Sequence, residues 1–204
     1  MARLGKIDSE LLQSGISTIA GVDEAGRGPC AGPLVIAAVI LRDINDPSLT
    51  EIRDSKMLSE LKREELFTKI SESALALSIV EISPEEIDSL GLHKCNLEGM
   101  RRAIAALSVA PDYILTDGYA IAGLATPSLA VWKGDQVSMS IGAASIIAKV
   151  HRDRIMRDLD LQYPEYGFAA HKGYITAKHT KALELCGVSP VHRKSFANVR
   201  ALLA

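Results

Sequence analysis

The sequence has no long hydrophobic run. Its longest purely apolar stretch, residues 34–41, is eight residues long, against about 20 for a membrane-spanning helix. No apolar segment follows the basic residues Arg3 and Lys6, which argues against a secretory signal. Cysteine is scarce: Cys30, Cys95 and Cys186 are odd in number, far apart and without a CxxC pair. That argues against a disulfide framework or a structural zinc site, and with the other absences points to a reducing cytoplasm. Internal repeats, low-complexity tracts and Gly/Ser/Pro-rich linkers are also missing. The 204 residues therefore read as one domain, with 1–16 an N-terminal extension and 160–204 a C-terminal helical segment. The glycine-rich stretch at 26–33 lacks the Gly-Lys-Ser/Thr of a P-loop and misses GxGxxG spacing, so neither nucleotide-binding loop is indicated.

What is present is an ordinary soluble composition, 48% hydrophobic and 24% charged, sufficient for a real core. The net charge of −2 hides an asymmetry. Residues 1–132 carry 12 Lys+Arg against 19 Asp+Glu, whereas 133–204 carry 11 against 6, with four of the five histidines. A basic C-terminal third permits a polyanion-facing side, although chance produces such differences too. Hydrophobic patterning predicts strands at 18–22, 34–41, 78–82, 113–116 and 128–132. It predicts helices at 59–77, from Ser83-Pro84, at 96–107, 138–159 and 176–186. Strands with helices on their faces suggest a three-layer α/β domain. Its early strands would be antiparallel and its later ones parallel to the first.

Acidic residues recur at strand ends: Asp23-Glu24, Asp117 and Asp135, each beside glycine or a glycine-rich turn. Carboxylates gathered at one sheet edge repel one another unless divalent cations intervene, and all-oxygen ligands suit magnesium or manganese. A pair of such ions serves phosphodiester cleavage. Equally, Asp beside Gly is what surface turns use, and spacing alone does not bring these acids together. Asp23 and Glu24 are neighbours, so a regular strand would point them to opposite faces unless it ends or bulges there. The Gly26-Arg27-Gly28-Pro29 loop allows close backbone approach and carries a phosphate-matching guanidinium; its plainer reading is a tight turn with a solvated arginine.

The order of these blocks resembles one family. Residues 21–29, Gly-Val-Asp-Glu-Ala-Gly-Arg-Gly-Pro, followed by Ala31-Gly32-Pro33, resemble the N-terminal signature of type 2 ribonuclease H, bacterial ribonuclease HII. Asp54-Ser55-Lys56 with Leu58-Ser59, Leu115-Thr116-Asp117-Gly118, Lys133-Gly134-Asp135 and the helix block around 143–153 resemble later motifs of that family. So do Tyr166-Gly167-Phe168, His171-Lys172-Gly173-Tyr174 and His192-Arg193 with Ser195-Phe196. The match spans roughly 17–196. Met57, Gly142 and Cys30 depart from the family pattern, where basic, alanine and aliphatic residues are common.

The resemblance implies a ribonuclease H-like fold, a mixed sheet of about five strands with flanking and C-terminal helices. It implies an endonuclease that hydrolyses RNA in RNA–DNA hybrids and cuts 5′ of ribonucleotides embedded in duplex DNA, leaving 3′-hydroxyl and 5′-phosphate ends. Asp23, Glu24, Asp117 and Asp135 would be the catalytic metal ligands for Mn2+ or Mg2+. Gly26, Arg27 and Gly28 would read the 2′-hydroxyl and Tyr174 would sense the junction. Lys56 is expected to bind substrate, and with Arg27, Lys172, His171 and Arg193 to contact phosphate. Ser138 and Ser140 read as helix-start residues. A monomer without membrane association is expected. A type 3 ribonuclease H is disfavoured because little sequence precedes Ile19, and a small-substrate metal-dependent phosphatase because no base or sugar pocket is evident. A non-catalytic nucleic-acid-binding protein keeping the fold is the alternative, disfavoured because four carboxylates do not favour a polyanion.

Overall fold

The computed structural model describes residues 5–52 and 58–203. The Asp54–Lys56 motif and Met57 lie outside the described residues, so the expectation for Lys56 has no structural counterpart. In chain order the elements are α1 (Lys6–Gln13), β1 (Ile19–Ala25), β2 (Leu34–Leu41), α2 (Glu60–Ser73), β3 (Ala74–Ile82), α3 (Pro84–Leu90) and α4 (Leu92–Ala105). They continue with β4 (Tyr113–Asp117), β5 (Ser128–Val131), α5 (Met139–Gln162), α6 (Phe168–His171), α7 (Ala177–Cys186) and α8 (Ala197–Arg200). Among the described residues no helix is long and apolar enough to cross a membrane.

The five strands form one sheet in the order β3-β2-β1-β4-β5. β1–β2 and β2–β3 are antiparallel, whereas β1–β4 and β4–β5 are parallel. All eight residues of β2 are buried because helices cover both faces. Val35, Ala37, Val39 and Leu41 pack with Leu66 and Ile70 of α2 and with the small apolar half of α5. Leu34, Ile36, Ala38 and Ile40 pack with Cys95, Met100 and Ala103 of α4. The period-two alternation of a strand thus builds a three-layer core from an unbroken hydrophobic run.

Capping matches the chemistry of the sequence. The hydroxyls of Ser59, Ser83, Ser138 and Thr176 each accept a bond from a backbone N–H in the first turn of the following helix. Two boundaries differ most from expectation. The helix over 59–77 stops at Ser73, and residues 74–77 join β3 instead, where they pair with Val39–Leu41 of β2. The ladder partner offered by β2 outweighs a helical pattern carried by only a few leucines. The helix expected at 96 begins at Leu92, behind Gly91.

Residues 5–16 of the N-terminal extension are held by a buried carboxylate. Asp8 of α1 accepts bonds from the Ser138 hydroxyl (3.1 Å), the Met139 amide (2.9 Å) and the Ser140 amide (3.1 Å). A negative charge therefore sits on the positive end of the 24-residue helix α5. Asp8→Ala is expected to cost roughly 2–3 kcal/mol in urea denaturation, and Asp8→Asn somewhat less, because its one oxygen keeps part of the acceptor set while its NH2 faces a backbone donor. An unchanged midpoint in Asp8→Ala would remove this role.

Candidate active site

The sheet register brings two of the acids to one face. Gly21 of β1 lies beside Leu115 of β4, and Val22 beside Thr116. Continuing one step places Asp23 level with Asp117, both turned toward α5. The pairing with β4 stops at that step, while β1 continues its ladder with β2 through Ala25. Strand β1 therefore does not end at Asp23 and Glu24, contrary to expectation; the open side appears because its parallel neighbour ends. Beyond β5 the chain turns through Lys133, in the left-handed region at φ 53°, into the short helical turn 134–136 that carries Asp135. The Gly134 amide donates to Asp117 Oδ1 at 2.7 Å, tying this turn to the end of β4.

Asp23, Glu24, Asp117 and Asp135 line one cleft of about 210 Å3, together with the Gly26–Gly28 loop, Ser145, Lys149, Arg152 and Tyr174. Asp23 and Asp135 are each 5% exposed. Burial raises the Asp23 carboxyl well above the ordinary carboxylate range. The neighbouring Glu24 and Asp117 charges push the same way, against hydrogen bonds from Ser145 and the Glu24 amide. Among the described residues no three His, Cys, Asp or Glu side chains are already drawn into a cation cage. The acids share a cleft at its wall rather than a closed shell.

The loop after β1 is shaped by contact with two buried arginines. Gly26 adopts φ +95°, and a Cβ there would strike the Arg152 side chain and the Pro33 carbonyl. Arg152 is 1% exposed and donates to the carbonyls of Ala31, Pro33 and Lys172, each at 3.0 Å. Burial lowers it to about 10, which leaves it charged at neutral pH. Arg193, fully buried, donates to Gly32 O (3.0 Å) and Arg27 O (3.3 Å). These bonds join the 26–33 loop to the segment bearing Tyr174. The Tyr174 ring is 49% exposed and stands 3.4 Å from where a Cβ on Gly28 would be. Arg27 is not loosely solvated: its guanidinium donates to the Tyr119 hydroxyl and lies 4.7 Å from the Tyr119 ring centroid.

Two expected phosphate contacts are corrected. Arg193 is consumed by backbone carbonyls inside the protein. His171 spends both ring nitrogens locally, Nδ1 accepting from Gly173 N–H and Nε2 pairing with Tyr166 O. Lys172 donates to Ala169 O at 2.7 Å. Ser138 caps α5 as expected, and Ser140 lies in its first turn with its amide bound by Asp8. Gly142 does not mark a loose helix. It is a close-packing point, where a Cβ would press on Ile52.

Residues missed from sequence are Lys149 and Arg152. With Ser145 they recur at i, i+4 and i+7 and so form one stripe of α5 facing the cleft. The available signal was weak: Ser145 and Lys149 interrupt the small apolar first half of α5 at helical spacing, but Arg152 falls where the helix has become charged, between His151 and Asp153. Burial depresses the Lys149 ammonium, which bonds Asp153 Oδ1 at 2.7 Å.

The family model described as Ribonuclease HII matches residues 20–199. A ribonuclease HII of Rhodococcus opacus is 52% identical over 200 residues, covering 98% of this chain and 88% of the relative. The crystal structure of the ribonuclease H2 from Pyrococcus horikoshii superposes with a TM-score of 0.80 at 29% identity, covering 91% of this chain and 96% of that one. A Bst ribonuclease HIII in complex with Mn2+ shares the fold at 17% identity, with a TM-score of 0.69 and coverage of 91% and 69%. Sheet order, cleft and sequence agree, and the chain belongs to the ribonuclease HII family, the endonucleases that hydrolyse the RNA of RNA–DNA hybrids.

Proposed function

We propose that this cleft cuts the strand 5′ of a ribonucleotide, both in hybrids and where a ribonucleotide is embedded in duplex DNA, leaving 3′-hydroxyl and 5′-phosphate ends. The observation that carries the reading is the meeting, in one cleft, of four acids from three separate chain segments with a glycine loop and an exposed tyrosine. The donor set fits hard divalent cations. It is all oxygen, and Asp23 is crowded by Glu24 and Asp117, a repulsion that a cation relieves. Asp23, Glu24, Asp117 and Asp135 would hold Mn2+ or Mg2+. Bound there, such ions supply Lewis-acid activation of water and stabilise charge on the leaving oxygen.

The rest is done by the protein's own groups. Gly28, lacking a Cβ beside Tyr174, and Gly26, whose bare Cα lets the loop close down on Arg152, present backbone amides and carbonyls to the 2′-hydroxyl, the one group that separates RNA from DNA. Arg27, braced on Tyr119, gives the loop a fixed shape. Tyr174 presents a half-exposed ring face beside Gly28 on which a sugar can rest. Lys149 supplies positive charge at the cleft wall.

A labelled duplex with one ribonucleotide, incubated with Mg2+ or Mn2+, is expected to be cut once, 5′ of that ribonucleotide, while an all-DNA control stays intact. Excess EDTA is expected to abolish the cut, and restored Mn2+ to bring it back; cutting that persists in EDTA would contradict the assignment of the acids. Tyr174→Ala is expected to lower kcat at a lone ribonucleotide by about 10- to 100-fold with a smaller change in binding. Equal losses on every duplex, tracking a lower melting temperature, would instead make Tyr174 a packing residue.

A further inference from the structure

Behind Tyr174 lies a cluster of imidazoles that the proposed chemistry does not use. His179, at the start of α7, is fully buried, and His192 is 1% exposed. Their Nε2 atoms are 3.0 Å apart. The Tyr174 end of this pair is fixed by a group of one polarity. His179 Nδ1 is 2.9 Å from the Tyr174 carbonyl, which only accepts, so that nitrogen carries the His179 proton. His179 Nε2 must then accept, which puts the His192 proton on Nε2 and leaves His192 Nδ1 an acceptor. The Ser189 end agrees: its amide, 3.1 Å from His192 Nδ1, donates, and its hydroxyl, 2.7 Å away, can donate to the same nitrogen.

We propose that His179 and His192 are positioning residues for Tyr174. A one-way hydrogen-bond chain from the Ser189 amide through both neutral rings to the Tyr174 carbonyl sets where the tyrosine stands beside Gly28. The proposal rests on Tyr174 being a substrate contact. The exposed ring has little side-chain packing to hold it, so its main chain must. That main chain follows two left-handed residues, Lys172 at φ 52° and Gly173 at φ 80°, and is pinned by Tyr174 N to His171 O (2.9 Å) and by His179.

A proton added to His179 would set two N–H groups facing each other across the 3.0 Å gap, and one added to His192 would set its Nδ1–H against the Ser189 amide, with only the Ser189 hydroxyl to accept it. The further surroundings offer no countercharge. His171 stacks on His179 at 4.4 Å, and its nitrogens are engaged by Tyr166 O and the Gly173 amide. Cys30 Sγ is 3.8 Å from His179 Nδ1, and burial raises its thiol. The Tyr166 ring is 4.9 Å from His192, and Arg193 turns its guanidinium onto carbonyls. None of these described neighbours is a carboxylate. Burial accordingly depresses both imidazoles, His192 to about 4.

The test uses the full chain labelled with 15N in histidine, with ring nitrogens followed by NMR from pH 8 to 5. Expected are an Nε2–H tautomer for His192, unprotonated at pH 5.5, and an Nδ1–H tautomer for His179, with a midpoint below that of a free imidazole. The opposite tautomer, or a midpoint near 6.5 for either ring, overturns the proposal. In kinetics on the lone-ribonucleotide duplex, His192→Leu is expected to lower kcat about tenfold with little change in KM. His192→Gln, whose amide can still donate to His179, is expected to recover to within about threefold. Added to Tyr174→Ala, His192→Leu is expected to cost nothing more. Full additivity, or His192→Gln failing as badly as His192→Leu in a folded protein, overturns the relay. Unimpaired cleavage by Tyr174→Ala overturns the Tyr174 reading itself, whereas an intact Tyr174 effect with normal His192→Leu kinetics overturns the relay alone.

Discussion

Asp23→Asn is expected to lose cleavage by at least about 10^3-fold, a barrier rise of roughly 4 kcal/mol, while making the cation-free protein more stable. The two effects have one cause. Asp23 is buried on a strand flanked by Glu24 and Asp117, and its ionised form is disfavoured first by burial and then by those charges. An asparagine of the same shape keeps an oxygen for the Glu24 amide, which now bonds Asp23 Oδ1 at 2.7 Å, and removes the repulsion. Relief of such a buried charge is worth about 1–3 kcal/mol. The pH dependence follows in sign. The folded-state value of Asp23 lies above its ordinary 3.8, so between the two the folded protein binds more protons than the unfolded chain. Wild type therefore loses stability as pH rises through that window, and the advantage of Asp23→Asn vanishes below it. Melting curves in EDTA at pH 4 and pH 8, set beside cleavage with Mg2+, check both halves. A variant that is less stable than wild type at pH 8 would show that Asp23 is not strained by its neighbours.

Gly21→Ala is the second large effect, and it concerns the frame that carries the site. A Cβ on Gly21 would fall inside the backbone of Ser140 and Ile141, so α5 packs directly on the β1 main chain. No flexible side chain can yield there. The helix would have to lift from the strand, at a cost of about 3 kcal/mol or more. Because β1 holds Asp23 and Glu24 and α5 holds Ser145, Lys149 and Arg152, a shift of even 1 Å would also spoil catalysis, by roughly 10^2-fold in the fraction that still folds. Urea denaturation and active-site titration of the soluble fraction measure the two separately. A midpoint within experimental error of wild type would mean that the contact is looser than the backbone positions require.

Several elements were legible before any coordinates because local chemistry decides them. Residues 34–41 read as a strand covered on both faces, and β2 occupies those residues. The helices expected to start at 59, 83, 138 and 176 do so behind Ser or Thr caps, because backbone groups there need partners within one turn. The helix that was extended to residue 77 shows the limit. Nothing local tells Ala74–Leu77 that β2 lies alongside with unpaired backbone groups. The same limit hid α1, whose Asp8 finds its use only at the start of α5, 130 residues away.

The sequence alone determined which residue types were available: four carboxylates beside glycines or glycine-rich turns, a glycine loop, a late tyrosine and a basic C-terminal third, in the order that resembles one family. The tertiary structure decided their company. Strand register, not spacing, levels Asp23 with Asp117, and the early end of β4 opens the side onto which Glu24 also gives. Burial decided that Arg193 and His171 serve backbone atoms rather than phosphate, since a group's partners depend on what the fold packs beside it. Charge and geometry at the cleft are sums over segments distant in the chain, and those sums exist only once the sheet and α5 have closed on each other.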